Sequence, residues 1–427
     1  MRRKKKKRLK IKNIIVFILL ILIIGVGGYY LYNQIKEKNI INTKESLVDN
    51  IKSHYNLYVK TNKETKLYNK DKAVIGKINK DTNVLLEDID NITEDKEYFK
   101  VKDLEDTYIL YSDVDKTDEF IYDDRYKVYI PFNINIKTKD KTSFYDEDNN
   151  FVYEIDKVFD MPVIVKDTDR YGVEYNNQLL YVKSDDVDNS YENHNTDKHN
   201  SSGIGVLNYH AFYDENDASE RASCTTEICH SKSQFKTHLD YFKEHDMLTV
   251  KMKEVEMYID GKLQLPKSVL ITIDDGGMTK IAVDMLTEYK MYATIFLVTS
   301  WFNPKDYYTT DFIELHSHSH NMHDTGVCPT GQGGGIQCLS EDKIQEDLKT
   351  ARDLLNNTTY FCYPFYEYNE YSIKMLKQAG FTMAFDGEKS YGDNLVHPGD
   401  DKFRLKRFVI VTYTTMRDFD KYFGQIK

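Results

Sequence analysis

From Gly203 to Lys427 short apolar runs alternate with amphipathic stretches, which confines this part of the chain to an α/β fold with a parallel sheet. The runs are Gly205–Tyr209, Ser268–Ile273, Ala293–Val298, Phe312–Leu315, Thr358–Cys362, Thr382–Phe385 and Arg404–Ile410. Between them Phe235, Leu239 and Phe242 recur at helical spacing, as do Ile344, Leu348, Ala351 and Leu355 behind Ser340, an expected N-cap. Whether the sheet is open or closed into a barrel, chemistry in such folds collects at the carboxyl ends of the strands. Those ends are polar here. The first runs into His210, the second into Asp274-Asp275-Gly276, the fourth into His316, His318, His320 and His323. The fifth ends at Tyr363-Pro364-Phe365 and the sixth at Asp386.

Two histidines and a carboxylate give a divalent metal three protein ligands and leave a position for water. On zinc such a water ionises near neutral pH and becomes a nucleophile. A second carboxylate that is not a ligand can take its proton. An Asp-Asp doublet at an extended strand end meets both needs, because adjacent side chains diverge. A histidine from another strand can protonate the leaving group. The combination is a metal-assisted hydrolysis of an amide or ester. Each piece alone has a plainer reading: a turn or helix cap for the doublet, adventitious metal binding for the cluster, a structural hydrogen bond for His210. Four of the twelve histidines fall within residues 316–323, and their joint occurrence with the doublet at strand ends favours the chemistry.

On these motifs residues 203–427 resemble a polysaccharide deacetylase domain (NodB homology, carbohydrate esterase family 4), which implies a deformed (β/α) barrel. Thr272-Ile273-Asp274-Asp275-Gly276 is similar to the family's first motif, making Asp274 the general base and Asp275 a metal ligand. Two fits to the histidine motif are open. Glu314-Leu315, set against the family's usual Glu-Ile, selects His318 with His323; His316 with His320 is the other spacing. The first is preferred. Phe361-Cys362-Tyr363-Pro364-Phe365 resembles the third motif, which builds a groove wall and an oxyanion-binding amide. Cys362 stands where many members have Arg, and Arg407 is the nearest basic substitute. The family's late Leu-His is absent, so the resemblance passes the general acid to His210 of Tyr209-His210, with His397 a weaker candidate. It implies a divalent metal, zinc first, with Co, Mn, Ni or Fe as alternatives. The implied substrate is a cell-wall polysaccharide, peptidoglycan N-acetylglucosamine ahead of poly-N-acetylglucosamine and of an O-acetyl ester. A wall-binding adaptor without turnover is the alternative of another class.

The N-terminus reads as a membrane anchor. Residues 1–12 hold nine basic residues and no acid, and residues 13–32 follow as an apolar run. At 1.5 Å per residue such a run is long enough for a hydrocarbon core of about 30 Å. The basic flank is expected in the cytoplasm and the remainder outside, in a single-pass protein of a Gram-positive-type cell wall. Residues 33–55 are then a stalk and 189–202 a polar linker. Between them lies an internal repeat, 56–119 and 120–188. Leu57-Tyr58-Val59-Lys60-Thr61 is echoed by Asn135-Ile136-Lys137-Thr138, and Tyr111-Ser112-Asp113-Val114-Asp115 by Ser184-Asp185-Asp186-Val187-Asp188. Short β-rich runs make two small all-β domains, similar to bacterial SH3-like modules, either wall-binding or spacers.

Outside the cytoplasm two local disulfides fit, Cys224 with Cys229 and Cys328 with Cys338, leaving Cys362 over. Connectivity stays open on sequence alone. The loop between Cys328 and Cys338 is a lid or groove wall, or else a stapled surface insertion. With nine of the 58 basic residues in the first twelve positions, the rest of the chain carries −20 of a net charge of −11, so nucleic acid is not expected as a partner.

Overall fold

The computed structural model describes residues 25–43, 58–87, 97–117, 124–193, 199–387 and 394–426. They form two compact units. One takes residues up to 123 with 137–159 and 174–188; the other takes 124–136, 160–173 and 189–427.

The expected membrane span does not stand. Residues 25–43 are helical, but Asn33, Gln34, Lys36, Glu37, Lys38 and Asn39 break up any apolar face. No helix among the described residues is long and apolar enough to cross a membrane. Residues 13–24 of the expected span, and 44–55 of the stalk, lie outside the described residues. The single-pass placement, with its membrane partner, is therefore withdrawn.

In the first unit the strands are short and antiparallel. Val74–Ile78 pairs with Thr65–Tyr68 on one side and with Phe151–Ile155 on the other, so strands of the two repeats meet directly. The repeated phrases fold alike: Tyr111–Asp113 and Ser184–Asp186 each make a 3-10 turn that runs into a strand.

The second unit is built on parallel strands. They are β1 (Ile204–Tyr209), β2 (Leu248–Thr249), β3 (Ser268–Ile273), β4 (Ala293–Leu297), β5 (Ile313–Ser317), β6 (Tyr360–Cys362), β7 (Met383–Phe385) and β8 (Phe408–Val409). Their order is β7-β6-β5-β4-β3-β1-β8, with β2 beside β3. β1, β3 and β4 are buried along their whole length, as apolar runs between two packed layers should be. Phe385 at the end of β7 pairs in parallel with Leu405, and the chain from Leu405 leads directly into β8 beside β1. The two ends of the sheet thus approach each other, and the sheet curls into a deformed barrel.

Helices α1 (Lys232–Glu244), α2 (Met252–Ile259), α3 (Lys280–Tyr289), α4 (Glu341–Leu354), α5 (Glu370–Gln378) and α6 (Met416–Phe423) accompany the sheet. α1 is capped by the Ser231 hydroxyl, which accepts from the Gln234 amide, and buries Phe235, Leu239 and Phe242. α4 buries Ile344, Leu348 and Ala351; Ser340 holds its N-cap position without a side-chain cap bond. Phe235, Leu239 and Phe242 join Leu207, Ile271, Ile295 and Phe419 in one buried cluster, while α4 and α5 pack with Phe361 and Tyr363 in another. Burying a large apolar side chain is worth about 1.5–3 kcal/mol. These clusters therefore fix the strands whose ends carry the polar groups.

Residues 124–136 also belong to this unit. Arg125 makes a two-pronged pair with Glu254 of α2, Nε to Oε1 at 2.6 Å and Nη2 to Oε2 at 2.8 Å.

Candidate active site

Asp274 and Asp275 leave β3 in a tight turn. The Gly276 amide donates back to the Asp274 carbonyl at 2.9 Å. Asp275 takes a φ of +69°, a left-handed backbone uncommon for a residue other than glycine. Gly276 has a φ of +98°, and a Cβ there would run into Leu297. The turn sends the two carboxylates to different surroundings.

Asp275 faces two histidines. Its Oδ1 lies 3.4 Å from His318 Nε2 and 3.3 Å from His323 Nε2. His318 follows directly on β5, and its Nδ1 is 2.9 Å from the Cys362 carbonyl. That oxygen only accepts, so Nδ1 carries a proton and Nε2 is the nitrogen that faces Asp275. Burial lowers the pKa of the ring, but Cys362 and the Asp275 carboxylate outweigh it and raise it, favouring a charge that a metal ion at Nε2 would replace. Asp275 Oδ1 is buried and has no hydrogen-bond partner. Acceptors facing one another across such gaps call for a shared cation. Ligand atoms about 2.0–2.1 Å from a tetrahedral ion stand about 3.3–3.4 Å apart, which is the spacing seen here. Asp275, His318 and His323 thus fit a divalent metal. His323 is wedged between the Trp301 ring, centroids 5.1 Å apart, and the Phe365 ring, 4.3 Å away. Burial pushes the His323 imidazole down to about 4, the unprotonated form a ligand needs.

Asp274 is fully buried and takes no part in that triad. The Arg407 guanidinium meets it with two prongs, Nη1 to Oδ1 and Nη2 to Oδ2, both at 2.8 Å. Arg407 is itself fully buried; Nη1 also reaches Thr272 Oγ1 at 3.0 Å and Nε the Asp386 carbonyl at 2.5 Å. Cys362 Sγ lies 3.3 Å from Asp274 Oδ2. Burial alone would raise the Asp274 carboxyl; the Arg407 charge, with His318 behind it, prevails and holds it far below the usual carboxylate range. Asp274, His318 and Cys362 form a second conceivable ligand group. Arg407 already supplies a cation there, with Nη2 2.9 Å from Cys362 Sγ.

His210 follows β1. Its Nε2 is 3.3 Å from the Tyr366 hydroxyl, which donates to Asn208 Oδ1 at 2.7 Å. Its Nδ1 is buried without a hydrogen-bond partner, and burial lowers its pKa. Phe365 and Tyr366 take φ values of +58° and +63°. In this turn the Tyr366 and Glu367 amides donate to the carbonyls of Tyr363 and Pro364. The Tyr363 side chain turns inward: it is fully buried, its hydroxyl donates to the Phe403 carbonyl at 3.0 Å, and it stacks on Tyr368.

The alternative histidines go elsewhere. His316 is bonded through Nδ1 to Thr358 Oγ1 at 2.7 Å, and His320 through Nδ1 to Thr299 Oγ1 at 2.9 Å. His397 Nδ1 bonds the Ser202 carbonyl at 2.9 Å, beyond the amino end of β1 and so at the far end from His210. Cys224 is joined to Cys229 and Cys328 to Cys338, while Cys362 is free and buried. Trp301, Tyr366 and Glu367 were missed in the sequence. Tyr366 and Glu367 directly follow the third motif without matching it, and Trp301 lies in the loop after β4, apart from every matched motif.

The polysaccharide deacetylase family model matches residues 262–384, the stretch that holds Asp274, Asp275, His318, His323 and the turn at Pro364. This chain carries a polysaccharide deacetylase domain. A poly-beta-1,6-N-acetyl-D-glucosamine N-deacetylase of Staphylococcus aureus (strain MRSA252) is 26% identical over 202 residues, 42% of this chain and 67% of that protein. One of the same description from Staphylococcus epidermidis is 25% identical over 241 residues, 50% of this chain and 81% of that protein. Among solved structures, IcaB from Ammonifex degensii is similar at 21% identity and a TM-score of 0.43, covering 53% of this chain and 97% of that one.

Proposed function

We propose that the protein hydrolyses the N-acetyl amide of an amino-sugar polysaccharide, with poly-β-1,6-N-acetylglucosamine ahead of peptidoglycan. The staphylococcal relatives favour this order over the reverse order expected from the sequence. The observation that carries the reading is the meeting of Asp275 Oδ1 with His318 Nε2 and His323 Nε2 beside a separately held Asp274.

Asp275, His318 and His323 would hold the ion, and two imidazoles with one carboxylate suit zinc. Bound there, a divalent ion would supply Lewis acidity for a water and for the acetyl carbonyl. Asp274 accepts the proton of the attacking water. Arg407 keeps that carboxylate ionised and makes it a weak base. The Phe365 N–H donates to the acetyl oxygen as it gains charge. His210 gives a proton to the departing nitrogen as the C–N bond breaks, so one water is consumed and acetate and a free amine are formed. Pro364 fixes the start of the turn that presents Phe365. Arg407 is fully buried, so it acts through Asp274 rather than as the groove residue expected from the sequence.

The test is acetate release by the purified chain from both polymers, before and after a chelator, with Zn, Co, Mn, Ni and Fe added back singly. Chelator-sensitive release from poly-β-1,6-N-acetylglucosamine supports the reading. Release from peptidoglycan alone would reverse the substrate order, and release from neither would leave an adaptor.

A further inference from the structure

The loop closed by Cys328 and Cys338 touches both halves of the site. On one side the Gly335 amide donates to the carbonyl of Met322, the neighbour of His323, at 3.3 Å, and Ile336 and Met322 share a buried apolar cluster. On the other it reaches the turn after β6. The backbone amides of Gln332, Gly333 and Gly334 and the side-chain amide of Gln337 all donate to the Glu367 carboxylate, the last three at 3.2, 3.2 and 2.9 Å. Consecutive amides converging in this way form a nest for an anion, and here the anion is a side chain of the same chain.

The glycines follow from that approach. Gly331 and Gly333 have φ values of +60° and +90°. A Cβ on Gly331 would overlap the Glu367 carboxylate, and one on Gly334 would press on the Phe365 ring. Glu367 itself follows Phe365 and Tyr366, two successive non-glycine residues in left-handed conformation. Such conformations persist only where the surroundings hold them. Two backbone bonds hold this turn from within, and the four bonds to Glu367 hold it from outside.

We propose that Glu367 is a positioning residue: clamped to the Cys328–Cys338 loop, it keeps the Phe365–Tyr366 turn and the His323 segment in register. This rests on the deacetylase reading of the site. Phe365 packs on His323 and Tyr366 reaches His210, so a slack turn moves a ligand and the proposed acid together.

Trp301 is the chain's one tryptophan and lies against His323, so its fluorescence reports Co(II) at the site by quenching. Co(II) affinity, kcat and KM are measured for wild type, Glu367→Ala, Gln337→Ala and the double variant Cys328→Ser/Cys338→Ser, with folding checked by circular dichroism. Glu367→Ala is expected to weaken Co(II) binding about tenfold and to lower kcat about tenfold with little change in KM. Gln337→Ala, which removes one of the four bonds, and the double variant move in the same direction. Unchanged Co(II) affinity in a folded Glu367→Ala overturns the proposal. If that variant does not fold, unchanged affinity in both Gln337→Ala and the double variant does so. Wild type that binds Co(II) but releases no acetate would sink the deacetylase reading instead, and the Co(II) arm would still decide on Glu367.

Discussion

Two arginine–carboxylate pairs of the second unit hold a buried carboxylate, Glu254 with the partly buried Arg125 and Asp274 with the fully buried Arg407, and they differ in what surrounds them. Arg125 and Glu254 sit in a finished network. Glu254 also accepts from the Tyr129 hydroxyl at 2.8 Å and the Lys251 amide at 2.8 Å, while Arg125 reaches the Thr249 carbonyl and lies over the Tyr292 ring. Arg407 and Asp274 have the same two-pronged contact, yet they border groups left open: Asp275 Oδ1 and His210 Nδ1 are buried without hydrogen-bond partners. A buried ion pair is by itself weak evidence for stability, because desolvation offsets most of its attraction. The role is read from the neighbours. One pair ties residues 124–136 to the barrel; the other adjusts a carboxylate beside a site built for something more.

The largest expected effect separates Asp274 from Asp275. Asp274→Asn keeps the shape and removes the base, so acetate release should fall by about 10²–10⁴ while Co(II) still quenches Trp301. Asp275→Asn should instead weaken Co(II) binding. Equal loss of metal in both variants would mean that the two carboxylates share one role.

Next come the arginines. Arg407→Met and Arg125→Met each strand a buried carboxylate and should each cost about 3–5 kcal/mol in denaturant unfolding. Activity per folded molecule should drop only for Arg407→Met. Adding Glu254→Leu to Arg125→Met should recover most of the stability, since the stranded charge is gone. If Arg125→Met also loses specific activity, the contrast between the pairs fails.

Legibility follows the range of the interactions. Most strands of the barrel could be read because they are continuous apolar runs, with boundaries moved by a residue or two: Phe312–Leu315 became Ile313–Ser317, for instance. The charged run Arg404–Ile410 shrank to Phe408–Val409, and the two-residue strand Leu248–Thr249 was too short to be read. The structure brings Asp275 together with His318 and His323 because Asp275 follows β3 and His318 follows β5, the two strands that flank β4, and both stand at carboxyl ends that the sequence marks as polar. Arg407 was noticed without its partner, since Asp274 lies 133 positions away and meets it only once the barrel curls. Arg125 gave no local signal at all; its contact with Glu254 spans 129 positions. The membrane span was read from the apolar run at residues 13–32; the described helix holds only residues 25–32 of that run and continues into the polar stretch with Lys36, Glu37 and Lys38, too short in its apolar part to cross a membrane.

A buried titratable group with no countercharge should give a smaller, pH-bound effect. His238 of α1 bonds the Tyr209 hydroxyl of β1 through Nδ1 at 3.0 Å, stacks on Phe419 of α6 and lies near His230. Burial, with His230 adding to it, pushes His238 down to about 3. Between about 6.5 and about 3 the unfolded chain binds a proton there and the folded chain does not. Stability is therefore complete above that window and is lost as pH falls through it, by an amount on the order of a few kcal/mol. Melting temperature should decline across the window, and His238→Leu should flatten the slope. An unchanged slope would assign the acid sensitivity to other groups.

The smallest effect sharpens the comparison within the histidine cluster itself. By spacing His320 is the i+4 partner of His316 and so the alternative ligand, yet its Nδ1 is committed to Thr299 and its backbone amide to Asp347 Oδ1 at 2.8 Å. His320→Ala should leave Co(II) affinity within about twofold and cost roughly 0.5–1.5 kcal/mol, the net worth of one hydrogen bond. His323→Ala in the same assay should abolish quenching at the concentrations that saturate wild type. The two rings lie three positions apart, and only the one facing Asp275 should matter to the ion; a large loss of affinity in His320→Ala would return the alternative spacing to contention.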